Sequence, residues 1–142
     1  MKKQKNLISI VIIVLVAAAG GRLAAMKAAS DYGRHVAAAF SALGYGALTD
    51  TKEIKEFLRD PQLTGCENRT HNLAFLGGNY SRRVRELKEG IIYLSEQASL
   101  PEGKRFAAPP KLQSLSIDSD DPSDQGLGNA VGALILDFRQ GL

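Results

Sequence analysis

A single uncharged stretch, LISIVIIVLVAAAGG at residues 7–21, is the strongest structural signal in this chain of 142 residues. It follows a short basic segment and leads into an Ala-rich segment, residues 22–43. Fifteen helical residues rise only about 22 Å, whereas the hydrocarbon core of a bilayer is about 30 Å thick. Extending the helix to residue 26 supplies the missing length and includes Arg22, whose long side chain can reach the headgroups from one end of the span. The sequence therefore predicts a membrane-crossing helix over residues 7–26.

A cleaved signal peptide is the alternative interpretation of the same segment. A basic start, an apolar region of ten residues and a small-residue cleavage site at Ala17-x-Ala19 are typical of secretory signals. Only Gly20 and Gly21 would break the helix near that site, and small residues continue beyond them without a proline, which favours a retained anchor. Both interpretations place the rest of the chain outside the cytoplasm.

The distribution of charge predicts the orientation and argues against one class of partner. Lys2, Lys3 and Lys5 account for the net charge of +3, because residues 6–142 hold 15 basic and 15 acidic residues. A short lysine-rich tail favours a cytoplasmic N-terminus and is typical of bacterial proteins, although Arg22, Lys27 and Arg34 on the other side balance its three lysines. We expect the bacterial inner membrane, with most of the chain periplasmic or extracellular. A nucleic-acid-binding domain would concentrate basic residues on its folded part, so nucleic acid is not expected as a partner.

The sequence predicts an α+β fold in four segments. These are a basic cytoplasmic tail (1–6), a transmembrane anchor or signal helix (7–26), an Ala-rich helical extension (27–46) and a small α+β extracytoplasmic domain (47–142). We expect two helices in this domain and a β-hairpin or small antiparallel sheet. Alternating apolar residues predict strands over residues 111–117 and 130–139, with a third near residues 71–76.

Helix signals in the predicted domain are clear at two places. Asp50 and Glu53 form a capping box that starts one helix, which Asp60-Pro61 is expected to end, and residues 61–79 then resemble a loop. A second helix starts at Tyr80 and carries apolar residues spaced four, three, four, three and four apart. This stripe is either the core of the domain or a seam for a partner helix: Tyr80, Val84, Leu87, Ile91, Leu94 and Ala98.

Small residues recur every four positions near the predicted span. Ala17, Gly21 and Ala25 have the small-xxx-small spacing that lets two helix backbones approach closely in membranes. The segment is so rich in Ala, Gly and Ser that chance also explains the spacing. We expect a helix-packing contact at these three residues, with Gly21→Leu weakening self-association.

A cluster of aspartates forms the densest group of carboxylates. It comprises Asp118, Asp120, Asp121 and Asp124, and it departs from a calcium-binding EF-hand loop at Pro122 and Ser123. We expect a solvated acidic loop rather than a calcium site. The cluster is also a candidate to dock onto a basic face, in this chain or a partner, formed by Arg82, Arg83 and Arg85.

Catalytic, metal and cofactor signatures do not emerge from the remaining residues. Cys66 is the only cysteine, which excludes an internal disulfide. Cys66, Glu67 and His71 are too few for a zinc site without a further ligand, and no nucleophile–base pair is evident from spacing. We therefore expect neither enzyme activity nor a cofactor.

Three functions fit this layout. The first is a non-enzymatic single-pass component of a bacterial envelope assembly, a scaffold or structural subunit whose partners are membrane lipid and other membrane or envelope proteins, including copies of itself. The second is a filament subunit, and it rests on a resemblance in overall layout. Over residues 1–45 the basic leader and long apolar helix, with a small α+β head after them, resemble pilins and pseudopilins. Pilins carry Gly or Ala before their processing site and usually a Glu after it, and Lys5-Asn6-Leu7 has neither. The third is an exported soluble binding protein with a cleaved signal peptide.

Overall fold

The described part of the chain, residues 2–99 and 123–142 of a computed structural model, is mostly helical and contains no β-strand. The helices are α1 (Lys2–Leu43), α2 (Thr51–Phe57), α3 (Pro61–Asn72), α4 (Tyr80–Ala98) and α5 (Asp124–Gln140), with 3₁₀ turns at Tyr45–Thr49 and Ala74–Leu76. The predicted α+β fold is therefore wrong, whereas the predicted long N-terminal helix is present.

The second half of α1 belongs to a four-helix bundle with α3, α4 and α5. The chain turns back after α1, where the rings of Phe40 and Phe57 lie 5.6 Å apart. Helix α3 then runs back along α1, and α4 runs in the opposite direction to α3. Near the end of α4, Ser95 Oγ donates a hydrogen bond to Thr51 Oγ1 at 3.1 Å. Helix α5 runs in the opposite direction to α4, and Asn79 Nδ2 beside the start of α4 donates to the carbonyl oxygen of Gly141 at 2.9 Å.

Residues 25–40 of α1 contribute to the same core as the later helices. Their buried positions recur at three- and four-residue intervals, which keeps them on one face of the helix. Gly33 allows the closest approach, because a Cβ there would lie 2.8 Å from the ring of Phe138 in α5. The buried side chains of this α1 face are Ala25, Ala28, Ala29, Tyr32, Val36 and Phe40. We call these packed residues of α1, together with α2–α5, the head, and residues 7–24 of α1 the stem.

Residues 130–139, predicted as a strand, lie in α5 instead. The alternation of Leu134, Leu136 and Phe138 fits a strand over a short window, but Leu136 is 57% exposed and the other two are buried. Over the whole of α5 the buried residues recur at three- and four-residue intervals, so the helical period becomes clear only in a window longer than a few residues. These buried residues are Leu127, Ala130, Val131, Leu134, Ile135 and Phe138. Ser123 caps the helix by accepting a hydrogen bond from the Gly126 N–H at 3.3 Å.

The segment expected to be a loop, residues 61–79, contains α3. Asp60 does not end a helix but caps the next one, since its carboxylate accepts from the Gln62 N–H at 2.9 Å and Pro61 occupies the first turn. The third strand expected near residues 71–76 is the end of α3 and a 3₁₀ turn. The strand expected at residues 111–117 lies outside the described residues. The cap at Asp50 is confirmed, because its carboxylate accepts from the N–H groups of Lys52 and Glu53.

Tyr32 is a fully buried polar side chain on α1, and its hydroxyl has no hydrogen-bond partner among the described residues. A buried hydroxyl without a partner costs about 1–3 kcal/mol of desolvation. Tyr32→Phe is therefore expected to raise the free energy of unfolding, by about 1 kcal/mol, in denaturant titrations of the detergent-solubilised protein. Tyr93→Phe, at a half-buried position, is the matched control and should change it little. A loss of stability in Tyr32→Phe would mean that the hydroxyl has a partner in solution.

Candidate membrane interface

The stem leaves its apolar side chains uncovered. Nine large aliphatic side chains in its residues 7–16 are between 49% and 66% exposed: Leu7, Ile8, Ile10, Val11, Ile12, Ile13, Val14, Leu15 and Val16. Such a continuous apolar surface is unfavourable in water and marks a membrane or protein contact. By length and composition, α1 is long and apolar enough to cross a membrane, and its most apolar window is not covered by any described part of the chain.

The point where the stem joins the head lies about one bilayer thickness along α1 from Leu7. The first buried residue of α1 is Ala25, and the twenty residues of the span predicted at 7–26 rise about 30 Å as a helix. That length equals the thickness of the hydrocarbon core. The end of the head nearest the stem, which we call the stem end, therefore lies where such a span would leave the bilayer.

The turn Ala74–Leu76 is fixed against α1 at this level by two contacts. Arg22 Nε donates a hydrogen bond to the carbonyl oxygen of Leu76 at 2.5 Å. The Leu76 side chain covers Gly21, where an added Cβ would lie 2.1 Å from Leu76 Cδ1. Gly77 follows with φ of +96°, a left-handed conformation that favours glycine. The Arg22 charge is thus held at the stem end and partly satisfied by backbone.

The three small residues predicted as a helix-packing contact do not share one open face. Ala17 is exposed on the stem, Gly21 is covered by Leu76, and Ala25 is buried in the head. Only Ala17 is therefore open to a second helix without rearrangement of the head.

Gly21→Leu is expected to lower the free energy of unfolding by about 1–3 kcal/mol, because the new side chain overlaps Leu76 and must displace the turn. Gly20→Leu is the matched control, since a Cβ at Gly20 has nothing within 4 Å. Unfolding of both variants in the same detergent measures the difference. Equal stabilities would show that the turn does not pack on α1.

An open groove lies between the stem and the start of α4. It has a volume of about 420 Å³ and is mostly apolar, with the Arg22 and Tyr80 side chains as its polar members. The other lining residues are Leu15, Ala18, Ala19 and Leu23. This places half-buried Tyr80, the first residue of the predicted α4 stripe, beside the stem.

The rest of the α4 stripe faces the interior of the head. Val84, Leu87, Ile91 and Leu94 are buried against the other helices, and Ala98 is half-buried at the far end. In the described structure these four side chains are covered by this chain itself.

The predicted docking charges are distributed over both ends of the head. Arg83 is 15% exposed and is held by Asp137 Oδ2 at 3.1 Å and Glu86 Oε2 at 3.2 Å. Arg82 lies 3.7 Å from Glu86, and Arg85 is exposed. Asp124 is the first residue of α5 and lies about 20 Å along the helix from Asp137. The aspartates Asp118, Asp120 and Asp121 lie outside the described residues.

The only cysteine lies in the core. Cys66 lies on α3 and is buried. Burial raises the pKa of its thiol, the Asp31 carboxylate raises this pKa further, and Arg69 lowers it. A raised pKa keeps the sulfur protonated and poorly nucleophilic at neutral pH. Residues 2–99 and 123–142 bring together no group of three or more His, Cys, Asp or Glu side chains that would suit a metal ion.

Sequence reasoning missed the turn Ala74–Leu76 and its contact with Arg22. Phe75 at its centre is 82% exposed, more than any other large apolar side chain described. The available signal was the apolar run Leu73–Leu76 followed by Gly77-Gly78, which is typical of a tight turn. Its place beside the stem follows only from the packing of α3.

Comparisons of this chain with protein-family models, with curated proteins and with solved structures found no match in any of the three.

Proposed function

We propose that this chain is a non-enzymatic, single-pass component of a bacterial envelope assembly, held in the inner membrane by its stem. The observation that carries the proposal is the exposed run of aliphatic side chains on a helix that continues unbroken into the core of the head. Burial of that run in lipid removes its unfavourable contact with water. The basic tail before it favours a cytoplasmic N-terminus.

The continuity of α1 supports a scaffold or structural role. One helix contributes both the stem and a buried face of the head, so the orientation of the head is coupled to that of the membrane segment. A subunit of this kind presents its head surface to other envelope proteins at a set distance from the bilayer. We propose a structural role rather than a catalytic one because the sequence does not indicate an acid–base or nucleophile–base pair.

An exported soluble protein is the second candidate, and one observation favours it. Among the side chains described in α1, from Asn6 onward, every buried one lies at or after Ala25, so cleavage after Ala19 would leave the described core intact. The filament-subunit alternative drew part of its support from an α+β head, and the described head is helical.

The intact mass of the protein from separated membrane and soluble fractions tests the anchor. A full-length mass in the membrane fraction is expected. A soluble species that begins near Gly20 would replace the proposal with the exported-protein alternative.

The assembly role needs a separate measurement on the full-length protein in its native membrane. Mild cross-linking before detergent extraction should give a discrete species larger than the monomer, containing copies of this chain or other envelope proteins. A monomer at every cross-linker concentration would contradict the scaffold role, and filaments in electron micrographs would point to the pilin-like alternative instead.

A further inference from the structure

The turn Ala74–Leu76 leaves an aromatic side chain without any cover. Phe75 is 82% exposed, while its neighbours Leu73 and Leu76 are half-buried against α1. A large aromatic side chain this exposed is unfavourable in water. Its location relative to the stem indicates what covers it.

The axial position of the turn is set by its contacts with Gly21 and Arg22. If the hydrocarbon core begins at Leu7, Gly21 lies about 21 Å along the helix, within about 10 Å of the far boundary. Side chains of interfacial segments are buried to about 5–10 Å at the boundary between headgroups and acyl chains. The turn therefore lies at the depth of the outer interface.

Three backbone polar groups at the end of the turn have hydrogen-bond partners. The Leu76 N–H donates to the Leu73 carbonyl oxygen at 3.1 Å, and the Gly77 N–H donates to that of Ala74 at 3.1 Å. The Leu76 carbonyl oxygen accepts from Arg22. Polar groups that already have partners cost less to bring close to lipid, which favours a position at the edge of the bilayer.

The charges around the turn complement an anionic lipid surface. Arg69 and His71 precede the turn and Arg85 follows it, and all three side chains are exposed, whereas Arg82 and Arg83 are engaged by Glu86 and Asp137. Anionic headgroups attract basic segments close to the membrane. An apolar tip flanked by basic residues is the pattern of a segment that lies in the interface.

We propose that the turn Ala74–Leu76 is a second membrane contact, in which Phe75 inserts at the boundary between the phospholipid headgroups and the acyl chains, on the side of the bilayer where the head lies. The inference rests on the proposed anchoring of the stem. The stem and the turn together give the head two points of attachment, so that it cannot pivot freely about α1.

The chain contains no tryptophan, so a single substitution provides a specific fluorescent probe. Phe75→Trp, Leu15→Trp and Lys52→Trp are each reconstituted as full-length protein in vesicles of phosphatidylcholine and phosphatidylglycerol. Leu15 lies in the stem, and Lys52 is exposed on α2 at the end of the head farthest from the stem. Lipids brominated near the headgroup or near the chain ends quench tryptophan according to its depth.

The F75W probe is expected to lose about half of its emission to lipids brominated near the headgroup and much less to those brominated near the chain ends. L15W should be quenched in the hydrocarbon, and K52W should be unchanged. Quenching of L15W without quenching of F75W would overturn the interfacial contact and leave the anchor standing. Loss of quenching in L15W itself would overturn the anchor, and with it the inference.

Discussion

Val16→Asp is expected to leave most of the chain unable to insert into the membrane. Val16 lies at the middle of the span predicted at residues 7–26, and its side chain is 65% exposed on the stem. Replacing valine by aspartate at the centre of a membrane helix costs about 3–4 kcal/mol on the insertion scale. The nine aliphatic residues of the stem at positions 7–16 contribute about −0.5 kcal/mol each to insertion and Arg22 costs about 2.5 kcal/mol, which leaves a net of about −2 kcal/mol. The change is larger than this net, so it reverses the balance. The fraction of full-length chain that resists alkaline extraction from membranes measures the effect.

The control for Val16→Asp introduces the same charge elsewhere. Leu136 is also apolar and exposed, but it lies on α5 in the head. Leu136→Asp should therefore leave the membrane fraction unchanged. If Val16→Asp resists extraction as well as the unaltered protein, the stem is held by protein contacts rather than by lipid, and the proposed anchor is wrong.

Leu87→Ala is expected to lower the free energy of unfolding of the head by about 2–5 kcal/mol. Leu87 lies in the middle of α4 and is 2% exposed within the core formed by α1, α3 and α5. Truncation to alanine removes buried methyl groups and leaves a cavity, because packed helices relax only in part. Denaturant unfolding in detergent micelles, followed by circular dichroism, measures the loss.

Leu136→Ala is the matched variant for this experiment. It makes the same leucine-to-alanine change within a helix, so the change in helix propensity is the same and only burial differs. We expect a change within about 0.5 kcal/mol. A loss as small in Leu87→Ala would show that the stripe on α4 is open and awaits a partner helix.

The stem end of the head concentrates the features that bear on function. The stem, the Arg22 hydrogen bond to Leu76, the exposed Phe75 and the groove beside Tyr80 lie within one region. Their common property is a preference for the boundary between water and lipid, where apolar surface and arginine side chains are both accommodated.

Local sequence signals were sufficient for three parts of this protein. The uncharged stretch at residues 7–21 predicted the long apolar helix, Asp50 with Glu53 predicted the cap of α2, and the spacing from Tyr80 to Ala98 predicted α4. Each depends on neighbouring residues alone: a continuous apolar run, a side chain that reaches the next N–H groups, or a period repeated over several turns.

Only the tertiary structure decided the class of the head and the position of the turn. Leu134, Leu136 and Phe138 fit a strand or a helix equally well over a few residues, and the choice depends on which of them the other helices cover. Likewise Asp60-Pro61 starts α3 instead of ending α2, which ends at Phe57, and nothing nearby in sequence shows that α3 packs along α1. That packing brings Leu76 to Gly21 and Arg22, more than fifty residues away in the chain. Contacts of this kind depend on the burial of apolar surface from several helices at once, which no local pattern contains.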